Sequence, residues 1–228
     1  TEQEVENSGG IILKKEDKEM NLQGSPPAWF APVKRLSLND TQVDALRTGD
    51  LEAAFGTDFK GKRTGRDQWL PGGPMRLIHR VLDLDPGGGR FGMGRIIAQA
   101  DIHPDEWFLT CHFIDDMVMP GTLMYECCAH TLRVFVQRMG WVLPHDHVCY
   151  NVLEKNESDL KCRGPVTRAT KKALYDIEIK TIGYEPQPFV TADAHMFSDD
   201  LEIVFYKDMG MKLEGATRLD LEAYWRKA

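Results

Sequence analysis

Residues 107–140 read WFLTCHFIDDMVMPGTLMYECCAHTLRVFVQRMG, and the second half of that string decides the fold. After Pro120 and Gly121 the chain reaches Gly140 without another glycine or proline. Leu123, Cys127, Leu132, Phe135 and Met139 recur there at helical spacing, with apolar residues on most other sides. A helix that is apolar nearly all round is a buried one. Its surroundings read as extended: Tyr175, Ile177 and Ile179 alternate with Asp176, Glu178 and Lys180, the period of a strand with one wet face. Further strands are expected at residues 189–197 and 203–206, and two long ones at residues 77–84 and 90–100, joined by the turn Pro86-Gly87-Gly88-Gly89. One buried helix among several long antiparallel strands is an α+β arrangement, a curved sheet wrapped around a central helix.

The whole chain has 228 residues, enough for one large domain or two very small ones. It carries 28 Lys and Arg against 35 Asp and Glu, a net charge of −7. A field of that sign repels a phosphate backbone, so nucleic acid is not an expected partner. No run of eighteen apolar residues occurs, which excludes a transmembrane helix and leaves no membrane insertion to expect. The 5 cysteines form an odd set with none at C-x-x-C spacing, a pattern of reduced thiols that points to a cytoplasmic location. Neither an initiator Met nor the basic-then-apolar order of a secretory signal opens the chain, so the expectation is a processed terminus or a piece of a longer protein.

Residues 1–35 mix charge with Gly24-Ser25-Pro26-Pro27 and read as a linker or tail. Residues 36–70 read as an N-terminal helical extension. There Val43, Leu46, Leu51 and Phe55 suggest one or two short surface helices capped near Asn39 or Asp40 and stopped at Gly56. Lys60, Lys62, Arg63 and Arg66 follow as a basic connector, and residues 71–228 form the main domain.

The candidates for chemistry cluster in the quoted stretch. A histidine beside aromatic residues and a proline at a helix start both have ordinary structural explanations. Glu126 is harder to dismiss, because a carboxylate on an apolar helix costs desolvation unless it is paired or protonated.

Taken together, these residues resemble the β-hydroxyacyl-thioester dehydratases of fatty-acid synthesis, a hot-dog-fold family, and specifically its β-hydroxydecanoyl branch. The likeness rests on Leu77-Ile78-His79-Arg80-Val81, on Asp101-Ile102-His103-Pro104-Asp105-Glu106-Trp107-Phe108, and on Cys111-His112-Phe113. It continues through Asp116, Val118-Met119-Pro120-Gly121 and Met139-Gly140-Trp141, and weaker similarity spans residues 40–210. The resemblance implies a single hot-dog domain, with His112 on the family's catalytic histidine and Glu126 on its catalytic acid.

Elimination of water from a β-hydroxyacyl thioester needs a base for the α-proton and an acid for the departing hydroxyl. His112 suits the first task and Glu126, in an apolar acyl tunnel, the second. The backbone N–H groups of Gly121 and Thr122, at the positive end of the helix, would face the developing thioester oxyanion. By resemblance, the Val118 carbonyl fixes the imidazole tautomer.

In the resembling family the histidine and the acid of one site come from opposite hot-dog units, which implies a homodimer, or a pseudo-dimer with a second unit. Sheets joined edge to edge are expected. The substrate would arrive on the phosphopantetheine arm of an acyl carrier protein, with no metal and no redox cofactor. Lys161, Arg163, Arg168, Lys171 and Lys172 put five positive charges into twelve residues, either a solvated strand edge or the docking surface for that acidic carrier.

The chain departs from the branch in four places. Glu126 replaces Asp, as in the sister branch that dehydrates without isomerising; Met117 replaces Pro, Thr122 replaces Cys and His130 replaces Gln. Dehydration is therefore implied, whereas the trans-2 to cis-3 isomerisation is not. Two other readings stay open: a hot-dog acyl thioesterase, and a non-catalytic hot-dog unit of a larger synthase. His145-Asp146-His147 lacks a third nearby ligand and reads as a polar turn, and Pro86-Gly87-Gly88-Gly89 lacks the residues of a phosphate loop. Cys127 and Cys128 read as small packing residues.

Overall fold

The computed structural model describes residues 34–113, 115–154 and 156–226. The expected linker therefore lies outside the described residues apart from its last two positions.

Among the described residues three α-helices, α1 (Asp40–Ala45), α2 (Leu51–Phe55) and α3 (Trp107–Cys111), precede the long helix α4 (Gly121–Arg138), and α5 (Arg218–Arg226) follows the last strand. The strands are β1 (Leu36–Leu38), β2 (Arg80–Asp85), β3 (Arg95–Asp101), β4 (Cys149–Val152), β5 (Asp159–Cys162), β6 (Lys172–Gly183), β7 (Phe189–Ser198) and β8 (Leu201–Glu214).

Helix α4 lies at the centre, as its apolar circumference requires, and 13 of its residues are buried. It ends because Gly140 adopts φ +84°, a left-handed conformation open to glycine at little cost. There the Gly140 N–H donates to the Gln137 carbonyl at 2.9 Å and the Trp141 N–H to the Val136 carbonyl at 3.0 Å, which together satisfy the last turn.

The strands form one antiparallel sheet in the order β1-β2-β3-β6-β7-β8-β4, with β5 also pairing along β8. Its curved inner face holds α4. Along β6 the alternation is the expected one: Ala173, Tyr175, Ile177 and Ile179 are fully buried, while Asp176 faces outward and accepts from Arg95 Nε at 2.8 Å. Just before β3, Gly94 lies against the helix, where a Cβ would stand 2.4 Å from the Phe135 ring. The α+β class and the helix enclosed by antiparallel strands are thus observed.

Residues 36–70 differ from the surface helices expected of them. β1 pairs with β2 and extends the sheet. α1, whose capping box joins Asn39 and Gln42, and α2, capped by Asp50, turn Val43, Leu46, Leu51, Ala54 and Phe55 into the main core. The apolar residues that looked like a surface stripe are a packing face, because the sheet alone leaves that flank of the core uncovered.

Arg47 and Gln68 are among the side chains that fasten this segment to the rest. Arg47 donates to the Pro71 carbonyl at 3.1 Å and the Ile78 carbonyl at 2.7 Å. Buried Gln68 donates to the Leu143 carbonyl at 2.6 Å and accepts from the Leu143 N–H at 3.0 Å, and its own carbonyl accepts from Gln137 Nε2 at 2.6 Å. Helix α5, which the sequence pattern did not reveal, packs on the same flank, where Trp225 Nε1 donates to the Gly140 carbonyl at 2.7 Å and Lys62 sits over the Trp225 ring at 4.7 Å. No helix among the described residues is long and apolar enough to cross a membrane.

Candidate active site

His112 follows α3 directly, on the segment that leads into α4. Its Nδ1 lies 3.0 Å from the Val118 carbonyl oxygen. A carbonyl can only accept, so Nδ1 carries the hydrogen, which in the neutral imidazole leaves the lone pair on Nε2. The Val118 N–H returns a bond to the His112 carbonyl at 2.9 Å, closing the segment on itself. The far side of that loop is bridged to Thr167, and the Met119 N–H donates to the Val166 carbonyl at 3.0 Å. The imidazole is half-buried, and the Phe113 ring lies 3.9 Å from it between centroids.

Glu126 projects from the second turn of α4 with 39% of its side chain exposed. It lines an open groove of about 640 Å³ whose walls include Trp107, Leu123, Tyr125, Leu160 and Tyr206. Gly121 and Thr122 line the same groove. No side chain caps this end of α4, and the first helical bonds are those of Leu123 and Met124 to the Pro120 carbonyl. The N–H groups of Gly121 and Thr122 are therefore at the positive end of an 18-residue helix with no partner inside it. A Cβ at Gly121 would meet nothing within 4 Å, so space in the groove, and not packing, accommodates that glycine.

The structure thus brings Glu126, Gly121 and Thr122 together on one groove. His112 and Val118 sit on the neighbouring segment, and neither lines that groove. One turn beyond Glu126, His130 is 2% exposed and its Nε2 stands 3.6 Å from the Glu126 carboxylate. Burial, aided by the positive charges of Arg133 and Arg47, pushes the His130 pKa down to about 3. His130 is therefore uncharged at neutral pH.

Among the groove residues that escaped the sequence reading, three carry hydroxyl groups: Tyr125, Ser158 and Tyr206. Tyr125 meets Tyr206 edge-on at 5.3 Å between centroids, and Ser158 Oγ is 3.0 Å from the Tyr206 hydroxyl. Tyr206 comes from β8 and Ser158 from the segment before β5, brought together by the pairing of Leu160 with Tyr206. No local spacing announces such a contact. Cys127 and Cys128 are buried, and burial raises both thiols, Cys127 to about 12, which fits packing residues better than nucleophiles.

The five basic residues divide. Lys161, on β5, is 3.0 Å from Asp159, and Lys172, opening β6, is 3.3 Å from Asp200. Arg163, Arg168 and Lys171 are exposed between β5 and β6 and form no ion pair among the described residues. Their loop is the one bridged to Val118. The rings of His145 and His147 stack at 5.5 Å, while Asp146 accepts from the Arg66 N–H at 2.8 Å. Among the described residues no group of three or more His, Cys, Asp or Glu side chains could hold a metal ion.

A FabA-like domain model matches residues 70–207, more than half of the chain. A polyunsaturated fatty acid synthase subunit of Thraustochytrium sp. is 26% identical over 209 residues, which cover 89% of this chain and 14% of that protein. Among solved structures, the dehydratase heterocomplex ApeI:P of Xenorhabdus doucetiae matches 68% of this chain and 92% of its own, with 12% identity and a TM-score of 0.47. A probable thioesterase of Bartonella henselae matches 54% and 94%, with 11% identity and a TM-score of 0.39.

Proposed function

The chain belongs to the FabA-like domain family, and from that membership we propose that it eliminates water from β-hydroxyacyl thioesters to give trans-2-enoyl thioesters. The observation that carries this reading is the hydrogen bond between His112 Nδ1 and the Val118 carbonyl, which leaves Nε2 as a free base.

In the proposed reaction Nε2 of His112 takes the α-proton. The electrons of that C–H bond form the new double bond, the C–O bond at the β-carbon breaks, and the hydroxyl leaves with a proton from Glu126 as water. His112 ends protonated and Glu126 ionised, and proton exchange through solvent resets both. Negative charge that gathers on the thioester oxygen is met by the N–H groups of Gly121 and Thr122.

His112 does not line the groove of Glu126, which supports a site completed by a second hot-dog unit, in a homodimer or a pseudo-dimer. The acyl group is proposed to ride on the phosphopantetheine arm of an acyl carrier protein in the cytoplasm. Exposed Arg163, Arg168 and Lys171, with Lys161 and Lys172 beside them, supply positive charge next to the His112 segment for an acidic carrier. No cofactor is required by this chemistry.

Hydration of a crotonyl thioester, followed by loss of the enoyl absorbance, tests the proposal. His112→Ala and Glu126→Ala are each expected to slow it by roughly 10² to 10⁴-fold, the usual worth of a general acid or base. Full activity in either variant refutes the mechanism. Release of free thiol by the unmutated protein would instead identify a thioesterase.

A further inference from the structure

The segment that holds His112 is itself held from a distance. Val118, whose carbonyl accepts from the imidazole, is bridged to Thr167, and neighbouring Met119 donates to Val166. Both partners belong to the loop between β5 and β6. That loop owes its shape to Thr170, which is 4% exposed. The Thr170 hydroxyl accepts from the Thr167 N–H at 3.0 Å and lies 2.9 Å from the Ser198 hydroxyl, while the Thr170 N–H donates to the Thr167 carbonyl at 3.1 Å. Ser198 is the last residue of β7. Hydrogen bonds therefore run from β7 through Thr170 to Thr167, and the bridge between that loop and the His112 segment, closed by the Met119 to Val166 bond, carries the constraint on to Val118 and the imidazole.

We propose that Thr170 is a positioning residue for His112: its hydroxyl ties the Val118 segment to β7 and so holds the imidazole in the tautomer with Nε2 free. The effect is one of constraint. A lone backbone carbonyl on a surface loop fixes a ring poorly, because the loop can shift by fractions of an ångström with little cost. Here the carbonyl belongs to a segment paired on its outer side, and the pairing loop is pinned by a buried hydroxyl with two partners. Removing that hydroxyl leaves the Thr167 N–H without its acceptor and frees the loop from β7. Thr170 touches no reacting atom, so its effect passes through Val118.

The inference rests on His112 acting as the base, and its test keeps the two claims apart. Thr170→Val keeps the branched shape and deletes the hydroxyl; Thr170→Ser keeps the hydroxyl. ¹⁵N chemical shifts of the His112 ring, in protein with labelled histidine, report the tautomer directly, and crotonyl-thioester hydration reports turnover. Thr170→Val is expected to move the ring shifts toward a mixture of tautomers and to lower kcat by about tenfold, the worth of one well-placed hydrogen bond, with KM within twofold. Thr170→Ser restores both readouts, and Ser198→Ala, which spares the bond to Thr167, moves them by a smaller amount in the same direction. Unchanged ring shifts in folded Thr170→Val, or a Thr170→Ser variant no better than Thr170→Val, would overturn the proposal. An unmutated protein without turnover would defeat the dehydratase reading, while the ring shifts still decide whether Thr170 governs the imidazole.

Discussion

His130 and Glu126 face each other one helical turn apart, a buried imidazole 3.6 Å from a half-exposed carboxylate, and only the carboxylate reaches the groove. The imidazole has no other polar partner at Nδ1 among the described residues. A buried N–H without an acceptor is costlier than a buried lone pair, so the hydrogen belongs on Nε2, pointing at Glu126. His130 is thus a neutral polar neighbour of the carboxylate, 3.6 Å from it and just beyond hydrogen-bond reach.

That arrangement has a pH signature. The folded-state pKa of His130 is pushed down to about 3, below the ordinary histidine value of 6.5 that the unfolded chain shows. As pH falls from 6.5 toward 3 the unfolded chain takes up a proton that the folded chain refuses, so stability drops across that window. Replacing His130 by Gln removes the titrating group, keeps a donor and is expected to flatten the decline. Melting temperatures measured from about pH 7 to about pH 4 check it, and parallel slopes for the two proteins would contradict the assignment.

Gly121 separates folding from function. Its missing side chain is not demanded by packing, since a Cβ there would project into open space within the groove. Gly121→Ala is therefore expected to leave the melting temperature unchanged or to raise it slightly, because alanine favours helix by about 1 kcal/mol over glycine in a helix interior and by less at an end. Hydration of the crotonyl thioester should nonetheless fall, as the methyl group occupies space beside the N–H groups that face the thioester. A fall in melting temperature with activity retained would reverse this reading.

Charge reversal of Arg163, Arg168 and Lys171 to Glu probes the carrier. These residues are exposed and lie outside the groove, so hydration of a small crotonyl thioester should continue at its usual rate. With the same acyl group on an acyl carrier protein, KM should rise by about an order of magnitude, and the salt dependence of the unmutated protein should weaken. Equal KM values for the carrier-bound substrate before and after reversal would remove this surface from consideration.

What the sequence disclosed depended on how local each signal was. Helix α4 was legible because its period, its proline start and its glycine stop all lie within one stretch, and β6 because its alternation runs for several residues. The edge strands β4 and β5 were not: each has four residues, and β5 is exposed along its whole length, so neither alternates. Helix α5 is short and is held by aromatic contacts to residues far back in the chain, such as Lys62.

The same rule divides the site. His112, Val118, Gly121, Thr122 and Glu126 fall within fifteen consecutive positions and could be read together. Tyr206, Ser158 and Thr170 reach their places through strand register and loop geometry, which no spacing along the chain encodes.

The bonds of Gln68 and Arg47 carry a lesson about modularity. Span 70–207, which the FabA-like domain model matches, starts just past the glutamine that closes on Leu143 and Gln137 and omits the arginine that grips Ile78. A fragment trimmed to those limits would bare the greasy flank that Val43, Leu46 and Phe59 now cover. Any graft of this unit into another polypeptide must bring its collar along, or the recipient inherits a sticky, half-closed shell.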